Sequence, residues 1–298
     1  MQFRGSPAVV LVCDLGARLY ASAVAARGVG IDIGGTGVKA ALVDLETGEL
    51  ISRRVRAGTP KPATPSAVAE TVRAVVEQIA ADHALPPETP FGIGLPAVVV
   101  DGTVKTAANI AKSWIGTNAE ELFGEALGRE VHVLNDADAA AIAEARLGAG
   151  RGVTGTVLLL TLGTGIGSGL LVRGRLVPNT ELGHLEYRGR EAETRLSGAA
   201  RLRRRLRWRQ WAEEFNGYLE RLELYFWPDL IILGGGVSKE LGRFGPMLKS
   251  RAPIVAAQFL NTSGIVGAAM YAAGRRDVAT PLRLVAVEEP DLLNTTPA

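Results

Sequence analysis

Two glycine-rich turns, each set between apolar runs, constrain this chain more than any other feature. Val29-Gly30-Ile31-Asp32-Ile33 runs into Gly34-Gly35-Thr36-Gly37, and residues 38–43 resume as an apolar strand. Residues 156–162 run into Gly163-Thr164-Gly165-Ile166-Gly167, and residues 169–172 resume in the same way. A turn of this kind leaves several backbone N–H groups unpaired and pointing one way. Such a nest binds phosphate oxygens without a side-chain charge. Either turn alone could be an ordinary hairpin; two in one chain point to phosphate binding. A dinucleotide loop would open a helix, whereas these turns lead into strands, so that class is not expected.

The second turn sits in residues 152–172, which carry no charge for 21 residues, nominally enough to cross a bilayer. Six glycines and four threonines interrupt it and would break a helix in its middle. Strand, loop, strand is the better reading, and no membrane is expected as a partner.

The rest of the chain alternates strands and helices. A turn at 46–49 leads to a third strand, and the proline-rich loop 59–65 precedes a helix over 66–83 that Ser66 is expected to cap. Its apolar positions Val68, Val72, Val75, Val76 and Ile79 follow helical spacing. Phe91–Leu95 reads as a buried strand, 118–127 as a helix, and 131–134 as a strand ending at Asn135-Asp136. An alanine-rich helix follows over 137–147, with Gly148 as its expected stop. Further on lie a helix over 208–226, a strand over 229–233 ending in Gly234-Gly235-Gly236, and a helix over 264–273. The order β-β-β-α-β-α before about residue 130 is partly echoed after 155. The economical reading is an α/β protein of two duplicated domains, 28–134 and 135–273, around a central cleft. Residues 1–27 read as an extension outside the fold, and 274–298 as a tail. The extension loosely resembles a secretory signal, but Asp14 and Arg18 interrupt its apolar run.

Composition narrows the function. With 47% hydrophobic and 21% charged residues, the chain is no coiled coil, collagen or disordered polymer. A net charge of +2 does not suggest a nucleic-acid coat, so no nucleic-acid partner is expected. The single cysteine, Cys13, allows neither an internal disulfide nor a cysteine-based zinc site, which makes the cytoplasm the default compartment.

Three clusters carry possible chemistry. Asn135-Asp136 lies at a strand's carboxyl end, where open α/β sheets place ligand contacts. Asp136 reads either as a helix cap or as a general base for a hydroxyl proton. Glu181-Leu182-Gly183-His184-Leu185-Glu186 offers acceptors for sugar hydroxyls, although a lone histidine is often structural. Arg201, Arg203, Arg204, Arg205, Arg207 and Arg209 place six arginines in nine residues. They read as a solvated basic face or as a track for a polyanionic donor.

Together these residues resemble the ROK family within the actin-like ATPase superfamily, which has a ribonuclease H-like fold. The resemblance spans about Gly28 to Ala273. Asp32-Ile33-Gly34-Gly35-Thr36 looks like the first phosphate motif, and Leu162-Gly163-Thr164-Gly165-Ile166-Gly167 like the second. Residues 135–144 look like the first connecting helix with the catalytic aspartate, Asp136. Leu233-Gly234-Gly235-Gly236-Val237 resembles the adenosine motif, and residues 262–267 the second connecting helix, which is expected to pack back on the first domain.

Glu181-x-Gly183-His184 resembles the family's sugar signature, and Glu193 stands where a last sugar-binding glutamate is usual. The cysteines that hold zinc in most members are missing here, so no zinc is expected. Ala97 stands where glycine is usual. With Asn109 and Trp114-Ile115-Gly116, the zinc-free pattern is similar to the actinobacterial members that phosphorylate glucose from polyphosphate. The resemblance implies that glucose contacts Asn109, Asn135, Asp136, Glu181, His184 and Glu193. Donor phosphates, from polyphosphate or ATP, would meet Asp32, Gly34, Gly35, Thr36, Gly37, Lys39, Gly163, Thr164, Gly165, Gly234 and Gly235. Mg²⁺ is implied, with Asp32 reaching it through water, and so is a homodimer. A strictly ATP-dependent hexokinase is the alternative. A family repressor would need a DNA-binding helix-turn-helix, for which residues 1–27 are too short and too apolar.

Overall fold

Each glycine turn joins two antiparallel strands of its own five-stranded mixed sheet. The computed structural model describes residues 27–107 and 110–276. The first sheet is built from β1 (Arg27–Gly34), β2 (Gly37–Asp44), β3 (Val55–Ala57), β4 (Phe91–Leu95) and β7 (His132–Asn135). Its order is β3-β2-β1-β4-β7, antiparallel across β1, β2 and β3 and parallel across β1, β4 and β7. A small hairpin of β5 (Val99–Val100) and β6 (Thr103–Val104) projects after β4. Helices α1 (Pro65–Ala80) and α2 (Ala119–Leu127) flank this sheet, and their apolar faces close a core with Val29, Ile31, Phe91 and Ile93.

The second sheet repeats the plan. It holds β8 (Thr156–Leu162), β9 (Ile166–Val172), β10 (Arg175–Val177), β13 (Leu230–Gly234) and β14 (Ile254–Ala256), ordered β10-β9-β8-β13-β14. The antiparallel part is again the first three strands, and β8, β13 and β14 run parallel. The duplication read from the glycine turns is therefore a duplication of sheet topology. Between β10 and β13 lie a hairpin of β11 (Glu186–Tyr187) and β12 (Arg190–Glu191), then α4 (Ala192–Leu196), α5 (Gly198–Arg203) and α6 (Trp208–Phe226). On α6, Trp211, Phe215, Leu219 and Leu222 are fully buried against Leu158, Leu160 and Leu233, the stripe that period-3.6 spacing requires.

Two helices lock the halves together. Helix α3 (Asp136–Arg146) leaves the first sheet and lies on β9, where Gly169 has no room for a Cβ because Ala141 and the Ala137 carbonyl fill it. Helix α8 (Ser263–Arg276) follows α7 (Leu241–Phe244) and β14, and crosses back to β1 and β4. A Cβ at Gly30 or Gly92 would collide with the carbonyls of Ile265 and Ala268. Only glycine lets helix and sheet backbones approach so closely. The fully buried Glu144 of α3 accepts from Ala149 N, Gln258 N and Phe259 N at 3.0, 3.0 and 2.7 Å, tying α3 to the entry of α8.

Several boundaries differ from the sequence reading. The cap of α1 is Thr64 rather than Ser66, because Pro65 takes the first helical position and needs no N–H partner there. The helix ends at Ala80, not His83. Helix α3 begins at Asp136 and stops at Arg146, with no left-handed glycine at Gly148. Instead the Glu144 carboxylate folds round to the Ala149 amide. Helix α8 extends to Arg276, so residues 274–276 are helical, and Arg27 belongs to β1. The remainder of the expected extension and tail lies outside the described residues. No helix among the described residues is long and apolar enough to cross a membrane.

Candidate active site

The first turn opens to solvent at Gly35 and Thr36, and nothing lies within 4 Å of where a Gly35 Cβ would stand. Antiparallel register sets Asp32 opposite Lys39, and Lys39 Nζ sits 2.7 Å from Asp32 Oδ2. The lysine expected on phosphate therefore also holds the carboxylate expected near magnesium. Thr59 Oγ1 donates to the Gly34 carbonyl at 2.6 Å and fixes the turn. Arg56 on β3 lies beside Lys39 in register, with its guanidinium against Gly37. Sequence reasoning missed Arg56, because only the β2–β3 pairing brings it to the turn.

The second turn is also open at Gly163 and Thr164. Gly235, at φ 74°, packs on the backbone of Leu162, so the turn after β13 abuts the one after β8. Gly234, Gly235, Gly163 and Gly165 thus share one corner of the second sheet.

Asp136 stands at the first position of α3, half-buried over Gly94, which pairs with Asp32 across β1 and β4. The cap itself is Asn135, whose Oδ1 accepts from Ala137 N at 2.8 Å and Asp138 N at 3.1 Å. The capping alternative for Asp136 is therefore taken by its neighbour, though Asp136 Oδ1 also accepts from Ala137 N at 2.8 Å. Burial, then the charges of Asp32 and Glu181, push the Asp136 carboxyl up to about 7 against the pull of the Ala137 amide. Repulsion of this kind requires only that the three carboxylates lie near one another.

The sugar-signature residues gather beside it. Asn135 Nδ2 donates to Glu181 Oε1 at 3.1 Å and to the Ala97 carbonyl at 3.3 Å. Glu181 Oε2 lies 3.6 Å from His184 Nε2, and His184 Nδ1 lies 3.4 Å from Glu191 Oε1. Burial raises the Glu181 carboxyl; His184 opposes this and Glu193 adds to it. Glu193 Oε2 accepts from Ile166 N at 3.1 Å and fills the space beside Gly165. One carboxylate therefore lies beside both His184 and the second glycine turn. His184, Glu191 and Glu193 bring ligand atoms within 4.8 Å of one another, a set with the chemistry to take a divalent cation without cysteine. Asn109 lies outside the described residues.

Two further residues escaped the sequence reading. Asp138, 1% exposed, accepts from Asn179 N at 2.7 Å through Oδ2, while its Oδ1 has no hydrogen-bond partner among the described residues. Burial drives its carboxyl to about 7, aided by Glu181 and Asp136. Asn179 in turn holds the β5 hairpin. The neighbouring Asn135-Asp136 was the only local signal. A cavity of about 970 Å³ between α6 and residues 247–251 shares no residue with this site.

Two topologically equivalent mixed sheets, crossed helices and glycine turns beside an acidic floor define an actin-like sugar-kinase architecture. The model of the ROK family matches residues 28–198, and the chain belongs to that family. It is 48% identical over 245 residues to the polyphosphate glucokinase of Mycobacterium tuberculosis, covering 82% of this chain and 90% of that one. The inorganic polyphosphate/ATP-glucomannokinase of Arthrobacter sp. strain KM superposes with a TM-score of 0.80 at 49% identity, over 84% of this chain and 99% of that one. The ROK glucokinase of Streptomyces griseus, solved with glucose and AMPPNP, gives 0.71 at 27% identity, over 83% and 99%.

Proposed function

We propose that this protein transfers the terminal phosphoryl group of inorganic polyphosphate, or of ATP, to the 6-hydroxyl of glucose. The observation that carries the reading is the placement of Asp136. It is a half-buried carboxylate over Gly94, the strand partner of Asp32, and beside Asn135, which holds Glu181, so the charges of both carboxylates reach it. The polyphosphate relatives, at 48 and 49% identity, support the donor.

In this reading Asn135, Glu181, His184 and Glu193 orient the sugar, with Asn109 as a further contact. Asp136 accepts the 6-hydroxyl proton as the phosphoryl group moves. A base with a raised pKa near 7 is matched to neutral operation. Phosphoryl transfer has a loose transition state, so the base acts mainly by position. The backbone amides at 34–37 and 163–165 hold the donor oxygens, with Lys39 balancing charge. Gly234 and Gly235 offer the surface on which a nucleotide donor would rest.

The oxygen donors of Asp32 and its neighbours suit Mg²⁺, which would join Lys39 in offsetting the repulsion between Asp32 and Asp136. Bound there through water, it would supply charge neutralisation at the phosphates. The single-cysteine composition supports a reducing cytoplasmic compartment. Exposed Leu224, Tyr225 and Trp227 at the end of α6 support self-association as a homodimer, which sedimentation measures.

The test is glucose phosphorylation with ATP and with polyphosphate side by side, each with and without Mg²⁺. Turnover with polyphosphate is expected. A protein that uses ATP alone would be the strictly ATP-dependent hexokinase, which the intact Gly234-Gly235-Gly236 turn favours. No glucose 6-phosphate from either donor rejects both readings.

A further inference from the structure

The arginine-rich segment is not uniform. Two of its six arginines build the protein itself. Arg204 makes bonds of 2.9 and 2.7 Å to the two carboxylate oxygens of Glu214, which also holds Arg195 at 3.3 Å. Arg201 lies 3.9 Å over the ring of Trp208 and donates to the Leu206 carbonyl at 2.9 Å. These contacts clamp the segment to α6.

The others face outward in alternation. Arg203, Arg205 and Arg207 are exposed, whereas Arg204, Leu206 and Trp208 are partly buried. None of the three exposed arginines is ion-paired to a carboxylate among the described residues; Arg203 donates only to the neutral Thr194 carbonyl, at 2.9 Å. Arg209 has Glu213 at 3.4 Å. A merely solvated basic face needs no clamp beneath it, and three adjacent uncompensated charges repel one another.

The segment also begins at the donor site. Ala199 N donates to the Gly163 carbonyl at 3.0 Å, which pins the start of α5 to the second phosphate turn. Arg203, four residues further along α5, lies about 6 Å down the helix axis at 1.5 Å per residue. The backbone that carries the exposed arginines therefore starts only a few phosphate units from the Gly163–Gly165 nest.

We propose that Arg203, Arg205 and Arg207 form an extended subsite for the trailing units of a long linear polyphosphate, continuous with the second phosphate turn. This rests on the donor reading given above. The chemistry suits the ligand: guanidinium pairs phosphate oxygens bidentately, keeps its charge at all working pH values, and tolerates any register of a repeating anion. The clamp by Glu214 and Trp208 preorganises the segment and lowers the entropy lost on binding.

The experiment compares tripolyphosphate with long-chain polyphosphate as donors for the wild-type protein and for the R203A/R205A/R207A variant. The KM for the long chain is expected to rise at least about tenfold more than that for tripolyphosphate, since a single lost charge-assisted contact already gives that factor. Direct titration of long-chain polyphosphate at several salt concentrations provides a second readout. The slope of log K against log salt should fall by about 0.7 for each phosphate contact removed. The R203K/R205K/R207K variant should recover the salt slope and only part of the affinity. An equal KM rise for both donors, or an unchanged salt slope, overturns the subsite while leaving the kinase reading intact. A wild-type protein that turns over ATP but no polyphosphate removes the donor reading, and the subsite with it.

Discussion

Asn179 closes both polar atoms of its side chain on the backbone of Val99. Its Oδ1 accepts from Val99 N at 3.0 Å, and its Nδ2 donates to Val99 O at 2.9 Å. Its own amide donates to Asp138 at 2.7 Å. One residue thus joins the β5 hairpin of the first half, helix α3, and the segment that carries Glu181. Asn179 sits at φ 59°, a left-handed conformation that asparagine tolerates better than most residues.

Asn179→Ala is expected to lower stability by about 2 kcal/mol, since it strips partners from two backbone groups. It should raise the glucose KM more than it lowers kcat, because Glu181 is two residues away and Asp136 keeps its bond from the Ala137 amide. Denaturant titration and initial rates check this. An unchanged KM would show that the hairpin does not position the sugar cluster.

Asp136→Asn should reduce kcat by about 10² to 10⁴, the usual contribution of a positioned general base. Glucose should still bind, since Asn135, Glu181, His184 and Glu193 remain. Calorimetric titration with glucose, alongside rates, separates the two effects. Near-wild-type kcat would refute the role given to Asp136.

The raised carboxyls of Asp136 and Asp138 predict two pH dependences. Activity should rise with pH and level off above about 7, as Asp136 loses its proton. Stability should run the other way. Between the ordinary carboxylate range and about 7, the folded protein holds protons that the unfolded chain has released, so this pair's contribution falls as pH rises. Melting curves at pH 5.5 and pH 8, for wild type and for Asp138→Asn, test the sign. The variant should lose less stability across the interval, and an identical or larger loss counts against the buried acid.

Glu214→Ala should destabilise the fold by about 2 kcal/mol, because the partly buried Arg204 and Arg195 both lose a charged hydrogen-bond partner. The Glu214 carboxyl is held below its usual range by the Arg204 hydrogen bond, so the loss should shrink in acid. Equal stability of wild type and variant at neutral pH would mean that the clamp contributes nothing.

Gly165→Ala places a Cβ where the Glu193 carboxylate now lies. Freeing Glu193 from Ile166 N should raise the KM for glucose and for the donor together. A rise confined to the donor would show that Glu193 has no part in holding the sugar.

Much of the fold was legible because local sequence encodes it. Apolar runs broken by Gly34-Gly35-Thr36-Gly37 and by Gly163-Thr164-Gly165 specify strand, turn and strand. The stripe on α6 needs only period 3.6, and the helix expected over 118–127 forms as α2 (Ala119–Leu127) behind its Asn118 cap. Asn135-Asp136 could be singled out at a strand end, yet which of the two caps the helix could not.

What the tertiary structure decided is which distant groups meet. Asn179 and Val99 are 80 residues apart, and Glu144 reaches an amide 114 residues away. Arg204 and Arg203 are adjacent in sequence, but only packing against α6 makes one a clamp and leaves the other without an ion pair among the described residues. The acidity of Asp136 likewise belongs to no single segment, since it comes from burial and from the fields of Asp32 and Glu181. Propensity and capping act over a few residues and can be read in the chain. Charge, burial and partner choice depend on what loop closure and packing bring near, and these exist only once the two sheets have closed around α3 and α8.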